Sequence, residues 1–228
     1  MSSPAPEAIL ARRSSLDAWY EAYGHGASLR EDMWQAVTLN ERVPRGRFIS
    51  LMDCSWRRRF GVKGPNAEAW LAAHDFAIPS PANSWRVTDG VMVGRLASSE
   101  FLIECLDGQP ARVTAAATQL AARPSGVFAV MRQDLVVQLS GEALNQLLQQ
   151  ICSVDFATLL AGPSAANGPL ALTSMMGVGV VAVPMARVAD PTLTLWIEPS
   201  FAHYFWTTLI IVAAELGGGV RLDQPIRV

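Results

Sequence analysis

The chain has 228 residues, and its 18 lysines and arginines against 20 aspartates and glutamates leave a formal net charge of −2. That balance excludes the strongly basic domain or stripe with which nucleic-acid binders hold phosphates. A hydrophobic share of 50% with 17% charged residues excludes a disordered chain and supplies a sizeable core, in one large domain or two small intertwined ones.

Residues 1–50 read as an N-terminal extension packing on a core that begins near residue 51. They start Met-Ser-Ser-Pro-Ala-Pro-Glu, without the basic segment and apolar run of a secretion signal. Residues 1–25 are expected at the periphery, with His25 exposed in a Gly-His-Gly turn. No apolar run reaches the roughly 18 residues of a membrane span. Cys54, Cys105 and Cys152 are odd in number and far apart, which predicts neither a disulfide framework nor a cysteine metal knuckle. The expectation is a soluble, reduced, cytoplasmic protein without a membrane or nucleic-acid partner.

Charge then becomes uneven. Between Glu41 and Lys63 stand Arg42, Arg45, Arg47, Arg57, Arg58, Arg59 and Lys63, against Glu41 and Asp53. Three consecutive arginines before a strand read first as a solvated face or an edge-strand guard. A salt-bridged docking surface or an anionic-ligand contact is the alternative. From Pro124 to Val220 the basic residues are Arg132 and Arg187, and the acids are Asp134, Glu142, Asp155, Asp190, Glu198 and Glu215. So few charges on a stretch that must also supply surface point to burial against a partner subunit. Neutral polar side chains covering the gap are the alternative.

A strand–glycine–helix pattern occurs twice, at Arg59–Leu71 around Gly64 and at Leu135–Leu148 around Gly141, an offset of 77 residues. Ala67, Trp70, Leu71 and His74 mark one helix face; Leu144, Leu147, Leu148 and Ile151 mark the other. Pro65 suits a first helical turn. Strands are predicted at Val91–Leu96 and Phe101–Leu106, then a helix over Ala111–Ala122 that stops before Pro124. The second half predicts a loop at Pro163–Pro169 and strands at Gly177–Val183 and Leu193–Ile197. Its closing helix spans Pro199–Glu215, before Gly217-Gly218-Gly219. That helix is apolar almost all round and is expected to be buried on most sides. The tail after Gly217 is expected to be peripheral. Two β-α-β-β-α halves, residues 51–125 and 126–228, make an α+β fold with mostly antiparallel sheets in one intertwined domain.

Chemistry is harder to find. Gly177-Val-Gly-Val-Val-Ala182 matches a dinucleotide fingerprint formally, but β-favouring residues lead into Pro184 where a helix should open. No phosphate loop, nucleophile elbow or zincin motif is present. His74 reads as a packing residue, and His203, among Phe201, Tyr204, Phe205 and Trp206, as aromatic packing or an interface. No metal site is predicted, because the cysteines and histidines do not cluster. Asp89, before a hydrophobic strand, is either a ligand-facing carboxylate or half of a plain Asp-Gly turn.

The series Phe60–Leu71, Asp89-Gly-Val-Met-Val-Gly-Arg-Leu96 and Glu100-Phe-Leu-Ile103 resembles the glycine-cleavage T-protein superfamily. Arg132-Gln-Asp-Leu-Val-Val-Gln-Leu-Ser-Gly141, Cys152-Ser-Val-Asp-Phe156 and Leu195–Trp206 look like the gamma subunit of heterotetrameric sarcosine oxidase. The resemblance runs from about Asp53 to Glu215. It implies a T-protein-like folate-binding fold and a place beside larger alpha and beta subunits that oxidatively demethylate sarcosine or a related N-methyl amino acid. It implies FAD, FMN and NAD on the partner subunits and no catalytic residue on this one. T-protein enzymes carry an aspartate pair for tetrahydrofolate, where this chain reads Asp89-Gly90; they also carry a further C-terminal domain.

Three readings follow. The leading one is a structural, gamma-like accessory subunit of a flavin-dependent amine-oxidising complex. The second is a standalone tetrahydrofolate-binding or aminomethyltransferase-like protein, with Asp89, Trp85 and Trp196 as the candidate folate pocket. The third is a homo-oligomeric binding module.

Overall fold

A computed structural model describes residues 13–30, 33–39, 41–44, 46–106, 110–161, 166–186 and 191–222. Arg45, Arg187, Asp190, residues 1–12, the first part of the predicted 163–169 loop and the tail beyond 222 lie outside the described residues.

Helix α1 (Asp17–Tyr23) leads into an antiparallel ribbon of β1 (Gly24–Arg30) and β2 (Met33–Leu39). Strands β3 (Ile49–Asp53) and β4 (Arg59–Lys63) follow, then helix α2 (Ala67–Ala73). A meander of β5 (Ser84–Thr88), β6 (Val91–Ala97) and β7 (Glu100–Cys105) precedes α3 (Ala111–Gln119), which tightens into a 3₁₀ turn over Leu120–Ala122. Next come β8 (Phe128–Val130), β9 (Leu135–Ser140), α4 (Leu144–Ile151) and α5 (Ala157–Ala161). Strands β10 (Asn167–Pro169), β11 (Ala171–Met175), β12 (Val178–Ala186) and β13 (Pro191–Ile197) lead to α6 (Ala202–Glu215) and β14 (Gly218–Val220).

Two six-stranded sheets result, ordered β10-β5-β6-β7-β4-β8 and β11-β12-β13-β9-β3-β14. Their pairings are antiparallel except that of β14 with β3. The sheets do not follow the sequence halves. β3 lies beside β9 in the second sheet, while β8 lies beside β4 in the first.

Alternation along the strands builds the layers. Leu135, Val137 and Leu139 of β9 join Leu193, Leu195 and Ile197 of β13 in a core shared with α4, α6 and Trp19 of α1. The opposite faces send Val136 and Trp196 into a second core with Trp85, Met92 and Leu102 of the first sheet. Phe101 and Ile103 pack with Leu71 of α2 and Val113 of α3 in a third. The order is therefore helices, sheet, sheet, helices. All four residues of the predicted α4 stripe are buried, each stabilising by about 1.5–3 kcal/mol relative to exposure.

Gly64 and Gly141 both adopt φ +128°, a conformation that side chains disfavour. A Cβ would meet the carbonyl oxygen of Gly126 at 2.3 Å in one case and that of Phe48 at 2.2 Å in the other. Each glycine lets a neighbouring strand's end close over the strand-to-helix turn.

Several expectations are corrected. The segment after Gly217 is not peripheral: Gly218, Gly219 and Val220 are buried, because β14 completes the edge of β3. Residues 13–25 are not peripheral either, since Leu16 and Trp19 sit in the core and Trp19 meets Trp206 edge-on. Asn167–Pro169 is strand rather than loop because β5 offers it a free edge. His25 is exposed as expected, but on β1 rather than in a turn. Helix α6 buries one face through Phe205, Trp206 and Leu209, while Tyr204 and Ile211 (63% accessible) face outward. Gly177 belongs to the two-residue β11–β12 turn with Met176, both at positive φ, rather than to a strand-to-helix loop.

Candidate functional site

The arginine run is where the structure departs furthest from expectation. Arg57 is buried, and the Arg59 side chain is 2% accessible; neither is a solvated face. Both turn toward Glu104, an acid on β7 with no accessible surface. Glu104 lies directly across the β4–β7 ladder from Arg59, on the face of β7 that meets the other sheet. Its Oε1 accepts from Arg57 Nη1 at 3.5 Å, its Oε2 accepts from Trp196 Nε1 at 2.8 Å, and Arg59 Nη1 stands 3.7 Å away. Arg59 also donates to the carbonyls of Ser55, Arg57 and Asp134. The network thus ties β7 and β4 of one sheet to β13 and the start of β9 in the other. Burial pushes the Glu104 carboxyl upward, while Arg59, Arg57 and the Trp196 N–H pull it back.

A second buried acid, Asp53, closes β3. Its Oδ2 accepts from Tyr20 Oη at 3.0 Å and Ser14 Oγ at 3.4 Å, and its Oδ1 accepts from Ser55 N at 2.8 Å. This clasp holds α1 against the core. Burial raises the Asp53 carboxyl and, with that carboxylate beside it, the Tyr20 phenol.

Beyond Trp196 the two sheets part. The opening is a cleft of about 600 Å³ between Met131–Asp134 and the inner face of β11, β12 and β13. Leu172, Gly179 and Val181 form its floor over Trp196, and Arg132, Asp134 and Glu198 stand around it. Met131 is 79% accessible and Leu172 52%, and a Cβ on Gly179 would meet nothing within 4 Å. Arg132 is held to Glu100 at 2.8 Å, while Glu198 caps the following turn through Ser200 N. Burial raises the Asp134 carboxyl, with Arg59 and Arg132 opposing. The arrangement offers an apolar floor with a charged margin, suited to receiving another chain's side chains.

The residues singled out in the sequence do not converge. Trp85 and Trp196 share the inter-sheet core and are buried; Trp85 Nε1 donates to Pro169 O at 3.1 Å. Asp89 and Gly90, at φ 49° and 71°, form the β5–β6 turn. The Asp89 side chain is 80% accessible, 3.9 Å from Arg112. His74 lies over Trp70, with Nδ1 2.7 Å from Trp70 O and Nε2 2.6 Å from Gln119 Oε1. His203 is exposed on α6. Among the described residues, no group of three or more His, Cys, Asp or Glu is placed to hold a metal ion, and no helix is long and apolar enough to cross a membrane. Sequence reasoning passed over Glu104 and Asp53. Glu104 had a signal: a lone acid in Phe-Leu-Ile-Glu-Cys-Leu, on the same face as Leu102.

No protein-family model matches the sequence, and no curated protein matches it. Among solved structures, a chain of the heterotetrameric sarcosine oxidase from Corynebacterium sp. U-96, in complex with pyrrole 2-carboxylate, is similar with a TM-score of 0.61. The identity is 19%, over 95% of this chain and 98% of that one. The glycine cleavage system aminomethyltransferase T from Bartonella henselae is similar with a TM-score of 0.59 and 14% identity. That likeness covers 92% of this chain and 59% of the aminomethyltransferase chain. The fold is accordingly aminomethyltransferase-like, mixed α+β with mostly antiparallel sheets.

Proposed function

We propose that this chain is a gamma-like accessory subunit of a heterotetrameric, flavin-dependent sarcosine oxidase or a related N-methyl amino acid dehydrogenase. Its role there is structural, beside larger alpha and beta subunits that carry FAD, FMN and NAD, in a cytoplasmic one-carbon pathway. The observation that carries this reading is the open end of the sandwich. An inner sheet face with Leu172 and Val181 on its floor is left uncovered in the charge-poor half, and Met131 stands beside it. Exposed apolar surface of this kind marks an interaction site. The nearly end-to-end likeness to one chain of a sarcosine oxidase adds support. So does the internal repetition we infer from the paired Gly64 and Gly141 turns.

The test is co-expression with the alpha and beta subunits of a heterotetrameric sarcosine oxidase, followed by size-exclusion chromatography. The expected result is co-elution with the flavin-containing subunits, lost in Leu172→Asp and Met131→Asp, which still fold alone. A folded chain that elutes apart from those subunits sinks the reading.

The likeness to an aminomethyltransferase supports a second reading, a standalone tetrahydrofolate-binding protein. Asp89 on an exposed turn and the burial of Trp85 and Trp196 mean that the pocket it requires would have to open. Titration of tetrahydrofolate against tryptophan fluorescence, in wild type and Asp89→Ala, decides it: saturable binding lost in the variant favours folate, and no binding removes it.

A further inference from the structure

At the opposite end of the second sheet from the Leu172 cleft, near β3 and β14, lies a different cavity. It measures about 640 Å³ and is walled by Thr38 and Leu39 of β2, by residues 46–50, and by Ser140, Gly141 and residues 220–222. Among the described residues two arginines line it, Arg47 and Arg221, and no aspartate or glutamate does. Among the described residues neither guanidinium is in an ion pair. Arg57, Arg59, Arg95, Arg112 and Arg132 by contrast all have acidic partners.

The backbones that carry these two arginines are anchored. Arg47 N donates to Gly217 O at 2.9 Å, and Arg221 N donates to Leu51 O at 2.8 Å. The Arg47 guanidinium lies 5.3 Å above the ring of Phe48, and that ring packs where a Cβ on Gly217 would come within 2.8 Å of it. Across the β3–β9 ladder, Ser50 and Ser140 face each other and line the same cavity. The cavity size suits a small molecule, and two guanidinium forks with neighbouring hydroxyls suit an oxyanion.

We propose that this cavity is a binding site for a small ligand bearing a phosphate or carboxylate group, held by Arg47 and Arg221 with Ser50 and Ser140 beside them. The site is separate from the partner-docking cleft, and its test does not depend on any partner subunit.

The experiment is isothermal titration of the full chain with pyrophosphate and with glutarate, at ionic strength held constant with sodium chloride. Saturable, one-to-one binding is expected. Loss of one charge-assisted contact weakens binding about tenfold or more, so Arg47→Gln and Arg221→Gln should each show at least that loss. Arg47→Lys should retain part of the affinity, and Arg123→Gln, exposed after α3, should leave it unchanged. Tighter pyrophosphate binding identifies a phosphate ligand, and tighter glutarate binding a carboxylate. Melting curves confirm that each variant is folded. Absence of saturable binding to folded wild type overturns the proposal, as does an equal loss in Arg123→Gln or no loss in the Arg47 and Arg221 variants.

Discussion

Removing the Glu104 carboxylate is the sharpest test of how the two sheets are joined. Its separations from Arg57 and Arg59 are 3.5 and 3.7 Å. At an effective dielectric of about 20 these give ~4–5 kcal/mol of Coulomb attraction per pair. Dehydration of the carboxylate offsets several kcal/mol of that sum, so the intact network is not a large net source of stability. Breaking it is different. Glu104→Gln leaves Arg57 and Arg59 buried without the carboxylate they share, Arg59 keeping Asp134 at 3.8 Å, and a loss of about 3–5 kcal/mol is expected. With a urea dependence of about 2–3 kcal/mol per molar, the unfolding midpoint should fall by roughly 1–2.5 M. Glu100→Gln is the control. It breaks a 2.8 Å pair with Arg132, but Glu100 is 35% accessible, and the loss should stay within about 1 kcal/mol. Equal, small shifts for the two variants would refute the claim that the Glu104 network carries the sheet-to-sheet junction.

Other expectations concern the clasp and the turns. Burial raises the Asp53 carboxyl above its ordinary value of 3.8 in the folded chain. An acid raised in this way adds stability below its unfolded pKa, and the contribution fades as pH rises through the folded value. Asp53→Asn should therefore flatten the pH dependence of stability upward from about pH 4, by thermal melts across that range. Gly64→Ala and Gly141→Ala should each lose at least about 1–3 kcal/mol from backbone strain alone, with carbonyl contacts at 2.3 and 2.2 Å adding to it. Gly179→Ala, with open space around it, should change the melting temperature by no more than about 4 °C. Trp196→Phe removes the 2.8 Å donor to Glu104 and should cost about 1–3 kcal/mol by urea unfolding.

What the sequence made legible was whatever a local pattern could carry. The α4 stripe, the helix ending before Pro124, the β6–β7 hairpin and the helix starting at Pro199 all stand where periodicity and punctuation put them. Asn167–Pro169 and Gly218–Val220 were illegible, because Asn-Gly-Pro and Gly-Gly-Val have no strand character of their own. Each becomes a strand only because β5 or β3 presents a free edge. Arg57–Arg59 misled for a similar reason. A basic run reads as surface unless its partner is known, and Glu104 lies 47 positions from Arg57. The cleft was equally hidden, since Met131, Leu172 and Glu198 come together only when the sheets are stacked.

The place of β3 bears on how the chain is made. Both of its hydrogen-bonded neighbours, β9 and β14, are synthesised after it, the second about 170 residues later. On the ribosome β3 therefore emerges with neither edge satisfied, and the other sheet waits for β8 and then β10 to cover its two edges. The strand that opens the second sheet thus stays unpaired until β9 is made, and its other edge closes only when the last strand has left the exit tunnel. Truncation just before Gly218 would consequently be felt at the start of the molecule, by freeing the edge against which Ile49, Ser50 and Leu51 are paired.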